Sequence, residues 1–168
     1  MKFTVRLAQP EDEPFLWRMI YEATHLEEAG VSFAEARCNP ALARYVDHWG
    51  QAHDVGYIAM AADTGQRLAA AWFRLLRGAN KGFGHVSDEI PELAIATLPA
   101  FRGQGAGTAL MAALIRHAQG TYPGLSLNVR ATNPAVRLYE RFGFQRLPGS
   151  EWVNSIGVHA FLMVLRFP

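Results

Sequence analysis

The chain is poor in cysteine. Cys38 stands alone among 168 residues, so it cannot form an intrachain disulfide, and nothing points to an oxidising compartment. A nucleophilic role for its thiol would need a base nearby, and none is apparent from the sequence. Long hydrophobic runs are missing too. No stretch of about 18 or more apolar residues occurs, which argues against a membrane-spanning helix. After Lys2 the chain alternates through Phe3, Val5 and Leu7 instead of running on apolar, so no secretory signal is expected. Charge of one sign is also lacking. Lys and Arg number 16 against 15 Asp and Glu, for a net charge of +1. That balance speaks against a general nucleic-acid surface or a polybasic membrane patch. No Cys/His group has the spacing of zinc ligands, so no metal is expected. Repeats, low-complexity tracts and linkers are absent as well. The expectation is a soluble, cytoplasmic protein with one domain over residues 1–168.

Half of the residues are hydrophobic, enough for a sizeable core. Phe3, Val5 and Leu7 read as a first strand. Gln9-Pro10-Glu11-Asp12 offers a helix start, and Phe15, Leu16, Met19 and Ile20 follow at helical spacing. A second helix is expected from Pro40 to Trp49. Val55 to Ala62 and Leu68 to Leu76 form a hairpin around Asp63-Thr64-Gly65. Gly78 to Ser87 reads as a loop and Glu92 to Thr97 as a short strand between Pro91 and Pro99. A helix from about Gly105 to Gln119 buries Leu110, Met111, Leu114, Ile115 and Ala118. Leu125 to Val129 is a strand with Leu125, Leu127 and Val129 on one face. Asn133-Pro134 opens a helix that stops at Gly143, and Phe144 to Leu147 and Val158 to Phe167 supply the last strands. Strand 92–97, helix 105–119 and strand 125–129 make a βαβ unit, whose strands should be parallel. The fold class expected is therefore α+β in three layers (α/β/α). Its sheet is mixed, mostly antiparallel and six- to seven-stranded, with a parallel βαβ core.

The most informative segment is Arg102-Gly103-Gln104-Gly105-Ala106-Gly107-Thr108, placed between a strand and a helix. Residues without Cβ let backbone N–H groups converge on an anion and let it come close. The following helix adds free N–H groups and the positive end of its dipole, and Arg102 adds a full charge. It is not a Walker loop, which needs Lys after its last glycine. Nor is it the dinucleotide fingerprint, since Thr108 stands where the final glycine belongs. A plain strand-to-helix turn with glycines for tight packing is the alternative on the loop alone.

The second half of the chain narrows the choice. Asn133-Pro134-Ala135-Val136-Arg137-Leu138-Tyr139-Glu140-Arg141-Phe142-Gly143-Phe144 follows the second parallel strand. With that segment the chain resembles the GNAT superfamily of N-acetyltransferases. Its cofactor signature, Arg/Gln-x-x-Gly-x-Gly/Ala, is met by Arg102 to Gly107. A region like the family's Asn-x-x-Ala-x-x-x-Tyr-x-x-x-Gly-Phe appears with Asn133, Arg137, Tyr139, Gly143 and Phe144; its alanine lies one place early, at Ala135, and the residues after it keep their spacing from that alanine.

The resemblance implies transfer of an acetyl group from acetyl-CoA, the co-substrate, to a primary amine. It places the pyrophosphate on Arg102, Gly103, Gln104, Gly105, Ala106, Gly107 and Thr108. It gives the pantetheine arm and the acetyl oxygen the backbone groups of Ile95, Ala96 and Thr97, in a strand that splays from its parallel neighbour. Thr97 stands where the family usually has an apolar residue. Tyr139 matches the tyrosine that protonates the leaving thiolate, with a core or positioning residue as its alternative. Asn133 reads as a helix cap and a contact to the pantetheine arm. Arg137 and Arg141 read as contacts to the nucleotide's extra phosphate or as a solvated face. For the base, Glu92 comes first, with His85, Asp88 and Glu89 in the loop before it; each has a solvated or salt-bridged reading beside it. His117 reads as solvated.

The acceptor pocket expected for such a protein draws on 21–50, 78–90 and 149–158. Trp17, Tyr21, His25, Tyr45, Trp49, Trp72, Phe83 and Trp152 lie in or near those segments. Glu22, Glu27, Glu28, Glu35, Asp47, Asp88 and Glu89 supply acid, which would suit a cationic small-molecule amine. A protein or peptide acceptor, or a non-enzymatic acyl-CoA sensor, are the competing readings. A homodimer through the C-terminal strands is compatible with the sequence.

Overall fold

The computed structural model describes residues 2–153 and 157–168. Contacts group them into two compact units. The first holds the residues up to Arg74 together with Ala94–His117. The second holds Leu75–Leu93 and the chain from Ala118 onward. Strand β4 (Glu92–Thr97) starts in the second and continues into the first. No helix among the described residues is long and apolar enough to cross a membrane.

In the first unit, β1 (Phe3–Leu7), β2 (Val55–Ala61) and β3 (Arg67–Arg74) form an antiparallel meander, with a register shift at Ala59/Met60. Helix α1 (Glu13–Thr24) buries Leu16, Trp17, Met19 and Ile20, the spacing read from the sequence, and packs on α3 (Pro40–Val46) and on β3. A short helix not foreseen, α2 (Phe33–Arg37), comes from a capping box. Ser32 Oγ accepts from the Glu35 N–H, and the Glu35 carboxylate accepts from the Ser32 N–H at 2.8 Å. Helix α4 (Ala106–Ala118) buries Leu110, Met111, Leu114, Ile115 and Ala118 as expected.

The loop from α3 to β2 is tied down by Arg74. Its guanidinium donates to both Asp54 carboxylate oxygens at 2.8 and 2.9 Å, and to the Arg44 and Asp47 carbonyls. This buried cation uses its fork in the bidentate geometry arginine favours.

In the second unit, β5 (Gly124–Arg130) pairs antiparallel with β8 (His159–Arg166) along its whole length. Two-residue strands, β6 (Gln145–Arg146) and β7 (Trp152–Val153), also pair with β8. β4 pairs with β5 at Glu92↔Ser126, and the pairing is parallel, as the βαβ unit requires. The mixed sheet with flanking helices is the one expected. It counts eight strands among the described residues because β7 was not foreseen. The last helix, α5 (Val136–Arg141), begins later than Asn133-Pro134 suggested. Asn133 Oδ1 accepts from the Ala135 N–H at 2.9 Å, a turn that leads into the helix.

At the head of α1, Asp12 is only 1% exposed. Its carboxylate accepts from Arg6 at 2.7 and 2.9 Å and from the Gln9 N–H at 2.8 Å, and Arg67 stands 3.0 Å away. Burial pushes this carboxyl up, but the Arg6 hydrogen bond, the Gln9 N–H and the two guanidinium charges prevail and hold it below its usual value. A depressed native value means that its stabilisation is present above the unfolded value of about 3.9 and is lost as pH falls further. Asp12→Asn should therefore cost roughly 2–3 kcal/mol at neutral pH, less than a fully buried pair because both arginines are half-exposed. In urea melts the gap to the parent protein should close as pH drops below about 4.

Candidate functional site

β4 is buried over Glu92–Ala94 and half-buried over Ile95, Ala96 and Thr97. The Leu98 N–H donates to the Leu68 carbonyl, a single 3-10 turn follows at Pro99–Phe101, and the chain then enters the glycine loop. Gly103 and Gly105 have φ of 74° and 90°, a region that favours glycine. A Cβ placed on either would meet nothing within 4 Å. The glycines are thus required by backbone conformation and not by close packing, and the space above the loop is open. Ala106 is buried, while Gly107 and Thr108 lie in the first turn of α4, where N–H groups lack i−4 partners. A pyrophosphate group fits this loop: open, lined by amide hydrogens and close to a cation.

That cation, Arg102, is held from behind. Its Nε donates to the Thr97 carbonyl at 3.2 Å, and its Nη2 donates to Glu22 Oε2 at 3.4 Å. Glu22 comes from α1 and is 8% exposed. Arg18 Nη2 lies 2.7 Å from the other oxygen, paired by charge but not aligned as a hydrogen bond. One buried carboxylate thus sits between two guanidiniums, and only Arg102 belongs to the loop. Gln104 donates to the Ala100 carbonyl at 3.4 Å.

The second unit carries the remaining predicted groups. Tyr139 is 6% exposed. The end of α5 puts it there. Gly143, at φ 88°, donates to the Glu140 carbonyl, and Phe144 N–H donates to the Tyr139 carbonyl, which together make a Schellman stop. That stop brings Phe144 back onto Tyr139, with ring centroids 6.0 Å apart. Burial pushes the phenol well above its ordinary value, so it keeps its proton. Arg137 and Arg141 are exposed.

Glu92 opens β4 and is not solvated. It is 1% exposed, and its two oxygens accept from the Gly82 and Gly84 N–H groups, both at 2.8 Å. The carboxylate clasps the loop that precedes β4. Glycine suits position 84: a Cβ would lie 3.0 Å from the Asn128 nitrogen of β5, a tight contact with backbone. Beside it, Phe83 stacks on Trp152 with centroids 6.5 Å apart, and Trp152 donates to Asn128 Oδ1 at 3.1 Å. Both rings are exposed, at 50% and 38%.

The other aromatic candidates for an acceptor pocket belong to the core. Trp17, Tyr21, Tyr45, Trp49 and Trp72 are buried, and structural hydrogen bonds hold Trp17, Trp72 and Tyr21. Trp17 donates to Asp47, Trp72 to the Tyr45 carbonyl and Tyr21 to the Val31 carbonyl. Glu35 is spent on its capping box. Residues 154–156 of the expected acceptor segment lie outside the described residues. The contacts Glu22–Arg102 and Glu92–Gly82/Gly84 were not read from sequence. A charge pair 80 residues apart has no local periodicity to betray it.

The acetyltransferase (GNAT) family model matches residues 17–144, a span that runs through both units. No curated protein sequence matches the chain significantly. Many solved structures share its fold. YncA from Salmonella typhimurium, solved with its cofactor acetyl-CoA, is 19% identical with a TM-score of 0.69, covering 100% of this chain and 95% of its own. The ribosomal-protein-S18-alanine N-acetyltransferase from Escherichia coli is 22% identical with a TM-score of 0.65, covering 98% and 94%. A proposed phosphinothricin N-acetyltransferase is 21% identical with a TM-score of 0.68, covering 99% of both chains. With the glycine loop in place between β4 and α4, the chain belongs to the GNAT family of acetyltransferases.

Proposed function

We propose that this protein transfers the acetyl group of acetyl-CoA to the primary amine of a small molecule. The observation that carries the reading is the open loop at Gly103 and Gly105, backed by Arg102. In this reading Arg102 and the amide hydrogens from Gly103 to Thr108 hold the pyrophosphate. Backbone groups of Ile95, Ala96 and Thr97 hold the pantetheine arm and stabilise the acetyl oxygen. Asn133 and Arg137 add contacts to the same molecule. When bound, acetyl-CoA supplies an acyl group activated as a thioester. Tyr139, a phenol that burial keeps neutral, gives its proton to the departing sulfur. Glu92, with both oxygens occupied by backbone N–H groups, positions the loop at Gly82–Gly84.

Calorimetry with coenzyme A tests the loop. The parent protein should bind, and Gly105→Val should lose at least about tenfold in affinity, because a β-branched residue cannot adopt φ near 90° without strain. A parent protein that takes up no coenzyme A would end the assignment. A mass-spectrometric screen of 2-phenylethylamine, spermidine, free amino acids and intact proteins tests the acceptor. Acetylation of proteins alone would replace the small-molecule reading with a protein-acetylating one.

Tyr139→Phe should lower kcat by about a hundredfold with a smaller effect on KM. In absorbance titrations at 295 nm, parent and Tyr139→Phe should coincide through the ordinary phenol range near pH 10. The native value is raised, so its stabilisation is complete below that range and is lost only at higher pH. A phenolate signal from Tyr139 near pH 10 would contradict its enclosed position.

A further inference from the structure

Glu22 stands where helix energetics disfavour an acid. It lies in the last turn of α1, at the negative end of the helix dipole, and no basic residue occupies that turn. Arg18 precedes it on the same helix face, the weaker order for an (i, i+4) ion pair. The Glu22 side chain is nonetheless only 6% exposed, beneath two guanidiniums that are half-exposed. A charge enclosed against these preferences depends on its partners, and local conflicts of this kind mark functional positions.

The two partners hold it unequally. Arg18 Nη2 stands 2.7 Å from Oε1, while Arg102 Nη2 stands 3.4 Å from Oε2, at the outer limit of a hydrogen bond. Oε1 is buried and accepts no aligned hydrogen bond. Arg18 is steadied by Tyr21, whose ring centroid lies 5.8 Å from the guanidinium carbon and whose hydroxyl donates to the Val31 carbonyl. Arg102 has a second anchor, since its Nε donates to the Thr97 carbonyl. Its Nη2 is therefore the arm that can leave Glu22 while the arginine stays at the glycine loop. All of these residues belong to the first unit.

With no other partner in place, departure of Arg102 would strand a buried carboxylate, which is costly. We propose that Arg18 is the standing counter-ion of Glu22, so that Arg102 can turn from Glu22 to the diphosphate of coenzyme A without leaving a buried charge unpaired. The inference rests on the acetyltransferase reading and adds to it a positioning residue outside the glycine loop. Arg18 acts through Glu22 and Arg102 and touches no phosphate itself. No covalent bond changes and no proton moves.

Calorimetry with coenzyme A on a double-mutant cycle tests the coupling. With Glu22 present, Arg18→Gln should weaken binding by about tenfold, because Arg102 becomes the sole counter-ion of a buried carboxylate. Arg18→Lys keeps the charge and should bind within about twofold of the parent. In a Glu22→Gln background, Arg18→Gln should change affinity by less than about twofold. An equal loss in both backgrounds signals direct contact between Arg18 and coenzyme A and overturns the proposal, and so does parent-like binding by Arg18→Gln. Should Arg18→Gln fail to fold, nitrogen-15 NMR of the parent's arginine side chains decides. The Arg102 signal should shift on adding coenzyme A, and the Arg18 signal should shift less. A shift at Arg18 as large as that at Arg102 overturns the proposal. Absence of coenzyme A uptake by the parent overturns the acetyltransferase reading itself. Normal uptake with no coupling between Arg18 and Glu22 overturns the Arg18 role alone.

Discussion

A carboxylate buried at the start of β4 sets the terms for much of the second unit. Glu92 is almost fully enclosed, and a charge in that position must be matched by donors. The match comes from the Gly82 and Gly84 amides, so the loop before the strand is drawn against its own continuation. Close approach to Asn128 then favours a residue without Cβ at position 84. Phe83 and Trp152 are consequently exposed side by side, and His85 is fixed next to Asp88.

A second buried carboxylate does similar work in the first unit. Glu22 lies between Arg18 and Arg102, so the arginine of the glycine loop is oriented before any anion arrives. Arg102 also donates to the Thr97 carbonyl, which ties its direction to the end of β4. Preorganisation of this kind lowers the ordering cost of binding a diphosphate. The loop backbone takes its path from two left-handed glycines, Gly103 and Gly105.

Tyr139 illustrates how a helix stop sets a side chain's surroundings. The left-handed Gly143 ends α5, the Phe144 amide folds back to the Tyr139 carbonyl, and the two rings meet. The phenol is enclosed as a result and holds its proton more tightly than in water.

Local signals in the sequence reached most of the elements and their order, though not α2 or β7. The alternation in β1, the stripe on α4, the glycine loop and the Gly143 stop all depend on residues a few positions apart, where period and φ preference speak directly. The family resemblance rested on the same local segments. What only the tertiary structure decided concerns long-range pairing. It sent Trp17, Tyr21, Tyr45, Trp49 and Trp72 into the core, committed Glu92 to two amides, placed Glu22 behind Arg102 and left His85 Nδ1 enclosed. Each outcome turns on which buried charge or ring finds which partner, and that is settled by packing between segments far apart in the chain, where composition and spacing carry no information.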